Sequence, residues 1–256
     1  MVRKAFRIAI AAGYAAWLAS LPVPAEASVV IAATRVIYDA NEPEVTLKLS
    51  NEGQSPALVQ SWVDAGDVRG APSNINVPFT VTPPISRIDP SRSQTLRLVY
   101  TGEALPQDRE SVFWLDVLEV PPKPAADSRE TNHLQLAFRS RIKLFFRPAH
   151  LQGTPDTAAA QLTWRLTQTG GQLAIEVHNP TAFHVSLTEI TVHAAGKAAT
   201  FDDGGMIGPG ETHAFQLKGE VADAPDATVH YQWLNDYGGP GGGDAPLGPG
   251  TAAVSK

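Results

Sequence analysis

Asn132 to Arg147 reads NHLQLAFRSRIKLFFR, the longest alternating run in the chain. One face takes Leu134, Leu136, Phe138, Ser140, Ile142, Leu144 and Phe146; the other takes His133, Gln135, Ala137, Arg139, Arg141, Lys143, Phe145 and Arg147. Successive side chains of an extended chain point to opposite sides, so this period of two predicts a β-strand. At ~3.3 Å per residue the run would span ~50 Å. Sandwich strands are nearer roughly 6–8 residues, so half of this one overshoots its own sheet. A bare apolar edge invites foreign strands and is normally blunted by proline or an inward charge. Leu134, Leu136 and Phe138 have no such protection. Two readings stand. Either a bent strand buries the whole stripe in its own domain, or the edge is kept for a strand of another protein. In the second case ladder hydrogen bonds give affinity and the three side chains fill a foreign groove. Burying them would contribute on the order of 1.5–3 kcal/mol each, before ordering costs.

Working outward, Pro148 breaks the run, and Pro121 to Thr131 is a polar, proline-rich connection before it. Ser111 to Val120 (SVFWLDVLEV) is more continuously apolar, as a strand covered on both sides would be. Val29 to Tyr38, Glu44 to Asn51, Ala57 to Asp64 and Gln94 to Tyr100 alternate, with turn chemistry between them at Asn51-Glu52-Gly53, Thr82-Pro83-Pro84 and Asp89-Pro90-Ser91. After a boundary near 148–154 the rhythm resumes. Gln161 to Thr167 and Gln172 to Asn179 flank Gly170-Gly171, a hairpin signal, and His184 to Ala194, His213 to Lys218 and Thr228 to Leu234 follow. With 21 Gly and 21 Pro in 256 residues, no segment supports more than a turn or two of helix. The expectation is all-β: two immunoglobulin-like sandwiches in series, at 28–149 and 150–238. Residues 239–256 are Gly/Pro-rich with little apolar content and read as a flexible tail.

Residues 1–27 read as a cleaved secretory leader. Arg3, Lys4 and Arg7 precede the uncharged run Ile8 to Leu21, and Ala25-Glu26-Ala27 supplies the small-x-small cleavage pattern. The run is shorter than the ~20 residues a membrane span needs, and no later segment approaches that length. Removing the leader takes away three basic residues and one acid, which leaves 17 Lys and Arg against 25 Asp and Glu. That balance disfavours nucleic acid or an anionic membrane as partner, and membrane insertion is not expected.

Motifs for chemistry are missing. The chain has no cysteine, which excludes disulfides and thiolate metal sites. Its seven histidines show no metal-ligand spacing, no serine sits in a G-x-S-x-G elbow, and no phosphate-binding loop is present. No catalytic residue, metal or cofactor is expected.

Two cations stand apart from the solvated-surface pattern. Lys143 lies on the polar face of the long run, and Arg35 sits in the first strand, within Thr34-Arg35-Val36-Ile37-Tyr38. First and last strands of a sandwich often lie side by side, which would bring the two together. Like charges repel unless an anion joins them, and a carboxylate accepts both a guanidinium fork and an ammonium hydrogen bond. The plainer reading is two separate surface cations.

At these residues the sequence resembles the periplasmic pilus-assembly chaperones, the PapD-like family of the chaperone–usher pathway. The likeness runs from Thr34-Arg35 to Asn235-Asp236-Tyr237-Gly238-Gly239. Its most specific pieces are Pro106 to Ser111 (PQDRES), Arg141 to Pro148 (RIKLFFRP), Glu176 to Thr181 (EVHNPT) and the Asn-Asp-Tyr-Gly-Gly run. The resemblance implies a boomerang of two immunoglobulin-like domains with a subunit-binding cleft between them. It implies that Arg35 and Lys143 anchor the C-terminal carboxylate of a pilin subunit. It further implies that Leu134, Leu136 and Phe138 enter the subunit's open groove as a temporary strand, and that Glu110, Arg147 and Asp236 form an interdomain charge cluster. The expected partners are pilin subunits and an outer-membrane usher, in the periplasm; self-association of the free form is the other contact such an edge permits. The short 121–131 connection and the lack of cysteine resemble the short-loop class. Beyond Tyr237 the sequence departs from the many members that continue into a further strand. A non-enzymatic chaperone is thus the leading expectation. An exported two-domain adhesion or scaffolding module is the alternative, and a hydrolase is a distant third.

Overall fold

The computed structural model describes residues 28–70, 72, 76–120, 136–221, 224 and 227–248. The leader at 1–27, the 121–131 connection and Leu134 lie outside them.

The alternation that predicts one strand over Val29 to Tyr38 produces two: β1 (Val29–Ile31) and β2 (Arg35–Asp39). The chain changes sheets between them, because the two halves find different partners. β1 pairs antiparallel with β3 (Val45–Asn51), which joins a four-stranded sheet with β7 (Ser93–Tyr100) and β5 (Phe79–Thr82). β2 belongs to the opposite sheet, in the order β2, β9 (Phe138–Arg147), β8 (Ser111–Val120), β4 (Ala57–Asp64), β6 (Ile85–Ile88). Strand switching of this kind closes a sandwich around one core. Alternate residues point inward from both sheets, and Tyr38, Phe79, Tyr100, Phe113 and Phe146 pack there with ring centroids 4.6–6.4 Å apart.

A capped single turn, α1 (Pro155–Ala158), leads into the second sandwich. Its smaller sheet runs β10 (Thr163–Thr169), β11 (Gln172–His178), β15 (Thr212–Gln216). The larger runs β16 (Lys218–Gly219), β13 (Lys197–Phe201), β12 (Val185–Ala194), β17 (Thr228–Leu234), β18 (Pro240–Pro246), with β14 (Gly205–Ile207) also on β12. Its core holds Trp164 against Tyr231 and Phe201 against Phe215. Asn179 of the Asn-Pro-Thr turn is fully buried: its side-chain amide donates to the carbonyls of Phe183 and Ile207, and its oxygen accepts from the Thr181 amide.

β18 corrects the expectation of a flexible tail from 239. Residues 240–246 pair along β17, from Leu234↔Pro240 to Thr228↔Pro246. Glycine is what permits it. A Cβ on Gly241 would lie 2.5 Å from the Trp233 ring, and one on Gly243 would lie 2.6 Å from the Tyr231 hydroxyl. The aromatic side chains of β17 occupy the space that side chains on β18 would otherwise need, so low apolar content here marks close packing. Residues 249–256 lie outside the described part of the chain.

Of the 132–147 alternation, residues 132–135 lie outside the described part of the chain; among the described residues β9 begins at Phe138, opposite Glu119, next to the end of its partner β8 at Val120.

Candidate functional site

β9 has two different edges along its length. Arg35 to Asp39 of β2 pairs in parallel with Lys143 to Arg147. Upstream of Lys143, on that same side, no strand pairs with β9 among the described residues, so Phe138 to Ile142 is bonded to β8 alone. The apolar stripe divides at the same place. Leu144 and Phe146 are buried in the core and Ile142 packs against it, whereas Phe138 is 46% and Leu136 55% exposed. Burial within the domain's own core thus holds for Leu144 and Phe146, with Ile142 against it, and does not extend to Leu136 and Phe138. An unpaired ladder beside exposed apolar side chains can accept an extended peptide by adding a strand.

Arg35 and Lys143 meet at the lower end of this edge as register partners in the parallel pair. Their neighbours Val36, Tyr38, Leu144 and Phe146 face the core, so both cations project from the opposite face, toward the second domain. Arg35 Nη1 donates to the Leu234 carbonyl at 3.1 Å, and its guanidinium lies 5.9 Å from the Phe145 ring centroid. Lys143 Nζ donates to Ser186 Oγ at 3.3 Å and lies 5.8 Å from the Trp114 ring. Burial, and then the nearby Arg35 charge, lower the Lys143 pKa to about 8. Burial also lowers that of Arg35, against the pull of Asp236. Neither makes an ion pair with a carboxylate among the described residues. Two adjacent cations with no carboxylate partner among the described residues are an arrangement that an anion placed between them would stabilise.

Arg147, further along the same face, is fully paired. Its Nε donates to Glu110 Oε1 at 2.8 Å, and its two terminal nitrogens donate to the Asp236 oxygens at 2.7 and 3.0 Å. Burial works against its charge, but the hydrogen bonds and fields of Asp236 and Glu110 raise its pKa. Glu110 Oε2 also accepts the His184 amide at 2.8 Å and contacts its ring nitrogen at 3.2 Å. The trio of Glu110, Arg147 and Asp236 therefore ties β9 and the start of β8 to the β17–β18 turn and to β12. The sequence presents His184 only as one of seven histidines without metal-ligand spacing, and Ser186 only as part of the run His184 to Ala194. Both sit at the start of β12, where it faces β9.

A second charged group, absent from the sequence expectations, lies behind the open half of β9. Asp64 of β4 and Asp116 of β8 are buried, and Arg139 and Arg141 of β9 cover them.

Two immunoglobulin-like sandwiches joined by an ion-paired hinge, with an open strand edge running down to two cations, define a class of two-domain β proteins. Within it, this chain belongs to the PapD-like pili-assembly chaperones. The family description "Pili and flagellar-assembly chaperone, PapD N-terminal domain" matches residues 28–152, and "Pili assembly chaperone PapD, C-terminal domain" matches residues 157–244. The chain is 46% identical to the chaperone protein FimB/FhaD of Bordetella pertussis over 93% of its own length and 96% of that protein's. It is 46% identical to the probable fimbrial chaperone YadV of Escherichia coli, over 86% and 90%. The crystal structure of the YadV chaperone superposes with a TM-score of 0.74 at 43% identity, covering 86% of this chain and all of that one. A complex of the Salmonella enterica SafA pilin with the SafB chaperone matches with a TM-score of 0.69 at 32% identity, over 88% and 99%. Among the described residues, no helix is long and apolar enough to cross a membrane.

Proposed function

We propose that this protein is a non-enzymatic periplasmic chaperone, exported by its cleaved leader, that caps fimbrial subunits before passing them to an outer-membrane usher. Arg35 and Lys143 bind the subunit's C-terminal carboxylate at the foot of the cleft. Leu134, Leu136 and Phe138 fill the subunit's open groove while the free ladder of β9 hydrogen-bonds to its edge. Glu110, Arg147 and Asp236 hold the two domains at the angle this requires. The supporting observation is that, among the described residues, two adjacent cations without a carboxylate partner lie at the end of an unpaired strand edge flanked by exposed apolar side chains. The carboxylate fixes the register, because it ends the guest chain at one point of the ladder. A one-residue slip would turn the guest's apolar side chains to the wrong face.

The test is co-expression with candidate fimbrial subunits, followed by affinity purification. The Arg35→Ala, Lys143→Ala double variant is expected to lose the subunit while unfolding near the wild-type temperature. A variant that co-purifies a subunit at wild-type yield would remove the carboxylate anchor, and with it the register argument.

A further inference from the structure

The half of β9 that lacks a partner on one edge should be its loosest part. Phe138 and Ser140 are exposed on the core-side face, so little apolar burial holds them, and among the described residues only β8 bonds to their backbone. The opposite face carries a lattice that a solvated sheet surface has no reason to contain. Arg139 Nε donates to Asp116 Oδ1 at 2.7 Å, Nη2 reaches Asp64 Oδ2 at 3.4 Å, and Nη1 donates to the Val68 carbonyl at 2.6 Å. Arg141 donates to Asp64 Oδ1, and its Nε lies 3.7 Å from Asp116 Oδ1. Each guanidinium also stacks on an indole, Arg139 4.9 Å from Trp62 and Arg141 4.8 Å from Trp114. The carboxylate side chains are 2% and 0% exposed.

Exposed ion pairs contribute little, whereas buried carboxylates demand partners and fix geometry. Asp64 lies on β4, two strands away from β9, so the arginines bridge across β8 rather than along it. Burial raises the Asp116 carboxyl to about 6, with Asp64 adding to this and Arg139 opposing it. Burial pushes the Asp64 carboxyl upward too, but its coupling to the neighbouring Asp116 carboxyl, the hydrogen bond from the Gly66 amide and the Arg141 guanidinium carry it below the ordinary value. At neutral pH the lattice thus balances two anions against two cations.

We propose that Asp64 and Asp116 are positioning residues for strand donation: through Arg139 and Arg141 they hold the open half of β9 extended and in register before a subunit arrives. The proposal rests on the reading of this segment as the donated strand. Its consequence is that the guest does not have to order the strand it binds, so that less of the binding free energy is lost to ordering.

Because the chain has no cysteine, Ser140→Cys gives a single site for a nitroxide label on the exposed face of β9, and Thr46→Cys gives a control site on β3. Electron paramagnetic resonance of the full mature chain reads the nanosecond motion of each label. In the Asp64→Asn, Asp116→Asn double variant, the label at 140 is expected to move faster by about threefold on the nanosecond scale, with the label at 46 unchanged. Equal mobility at 140 in variant and parent overturns the proposal, and so does a loosening of both sites together, which would mean general destabilisation. Should the double variant fail to fold, hydrogen exchange of the wild-type chain decides. Protection over 138–142 comparable to 143–147 is expected, and exchange at unstructured-loop rates overturns it. Both measurements use the chaperone alone. Failure of the subunit reading would instead appear in Arg35→Ala, Lys143→Ala capture, with the strand still rigid.

Discussion

Gly238 lies directly against Thr34: a Cβ built on it would sit 2.2 Å from Thr34 Oγ1. Gly238 belongs to the β17–β18 turn of the second domain, and Thr34 immediately precedes Arg35 in the first. The turn also needs the left-handed backbone, at φ +78°. The position therefore serves both the turn and the seating of the residue next to the cation pair. Gly238→Ala is expected to cost about 1–2 kcal/mol in urea unfolding, from the positive φ together with the contact. Combining it with Thr34→Ala should recover the steric part and leave the backbone part. Strict additivity of the two substitutions would show that the contact carries no energy.

How far the sequence discloses this architecture differs from place to place. Turn chemistry and alternation were enough to read two sandwiches, since those signals are local. They could not show that Val29 to Tyr38 divides between two sheets, because the division is set by the distant partners β3 and β9 and not by anything local to the run. The division of the long stripe at Ile142 is hidden in the same way: it depends on where β2 begins alongside β9. The sequence places Arg139 and Arg141 only on one face of the long run, since nothing near them in the chain names Asp64 or Asp116 as partners. The pairing of residues 240–246 is hidden for a different reason. Composition counts the side chains a strand carries, whereas β18 is held by the side chains of its neighbour.

Removing Arg147 should damage the hinge more than removing either of its partners. Glu110 is 1% exposed at its side chain and Asp236 29%, so Arg147→Met strands one buried carboxylate and one half-buried one. A loss of roughly 3–5 kcal/mol is expected for Arg147→Met, and clearly less for Asp236→Asn. Chemical denaturation measures both. Equal effects would mean that the Asp236 contact, not the burial of Glu110, carries the hinge.

Phe138→Asp separates donation from folding. The side chain is 46% exposed and outside the core, so stability should change by no more than about 0.5 kcal/mol. In a subunit groove the same change buries a charge and forfeits about 1.5–3 kcal/mol of apolar burial. Affinity for a co-purifying subunit should therefore fall by at least tenfold at unchanged melting temperature. Wild-type affinity would mean that Phe138 does not enter the guest.

Lys143 links the anchor to pH in two opposite directions. Its folded pKa, about 8, lies below the ordinary 10.5, chiefly through burial and then through Arg35. Between these values the unfolded chain binds more protons than the folded one, so this group's contribution to stability rises with pH across that window. At neutral pH the retained charge costs on the order of 3 kcal/mol, at about 1.4 kcal/mol per tenfold in the ionisation constant. A carboxylate beside the ammonium restores the proton, so affinity for the guest should fall above pH 8, by up to about tenfold per pH unit. Lys143→Met should match or exceed wild-type stability at pH 7 and show no such rise between pH 8 and 10. Lys143→Arg should keep binding flat over the same range. Subunit affinity that stays constant from pH 7 to 10 in the wild-type chain would mean that the Lys143 ammonium is not what holds the guest's carboxylate.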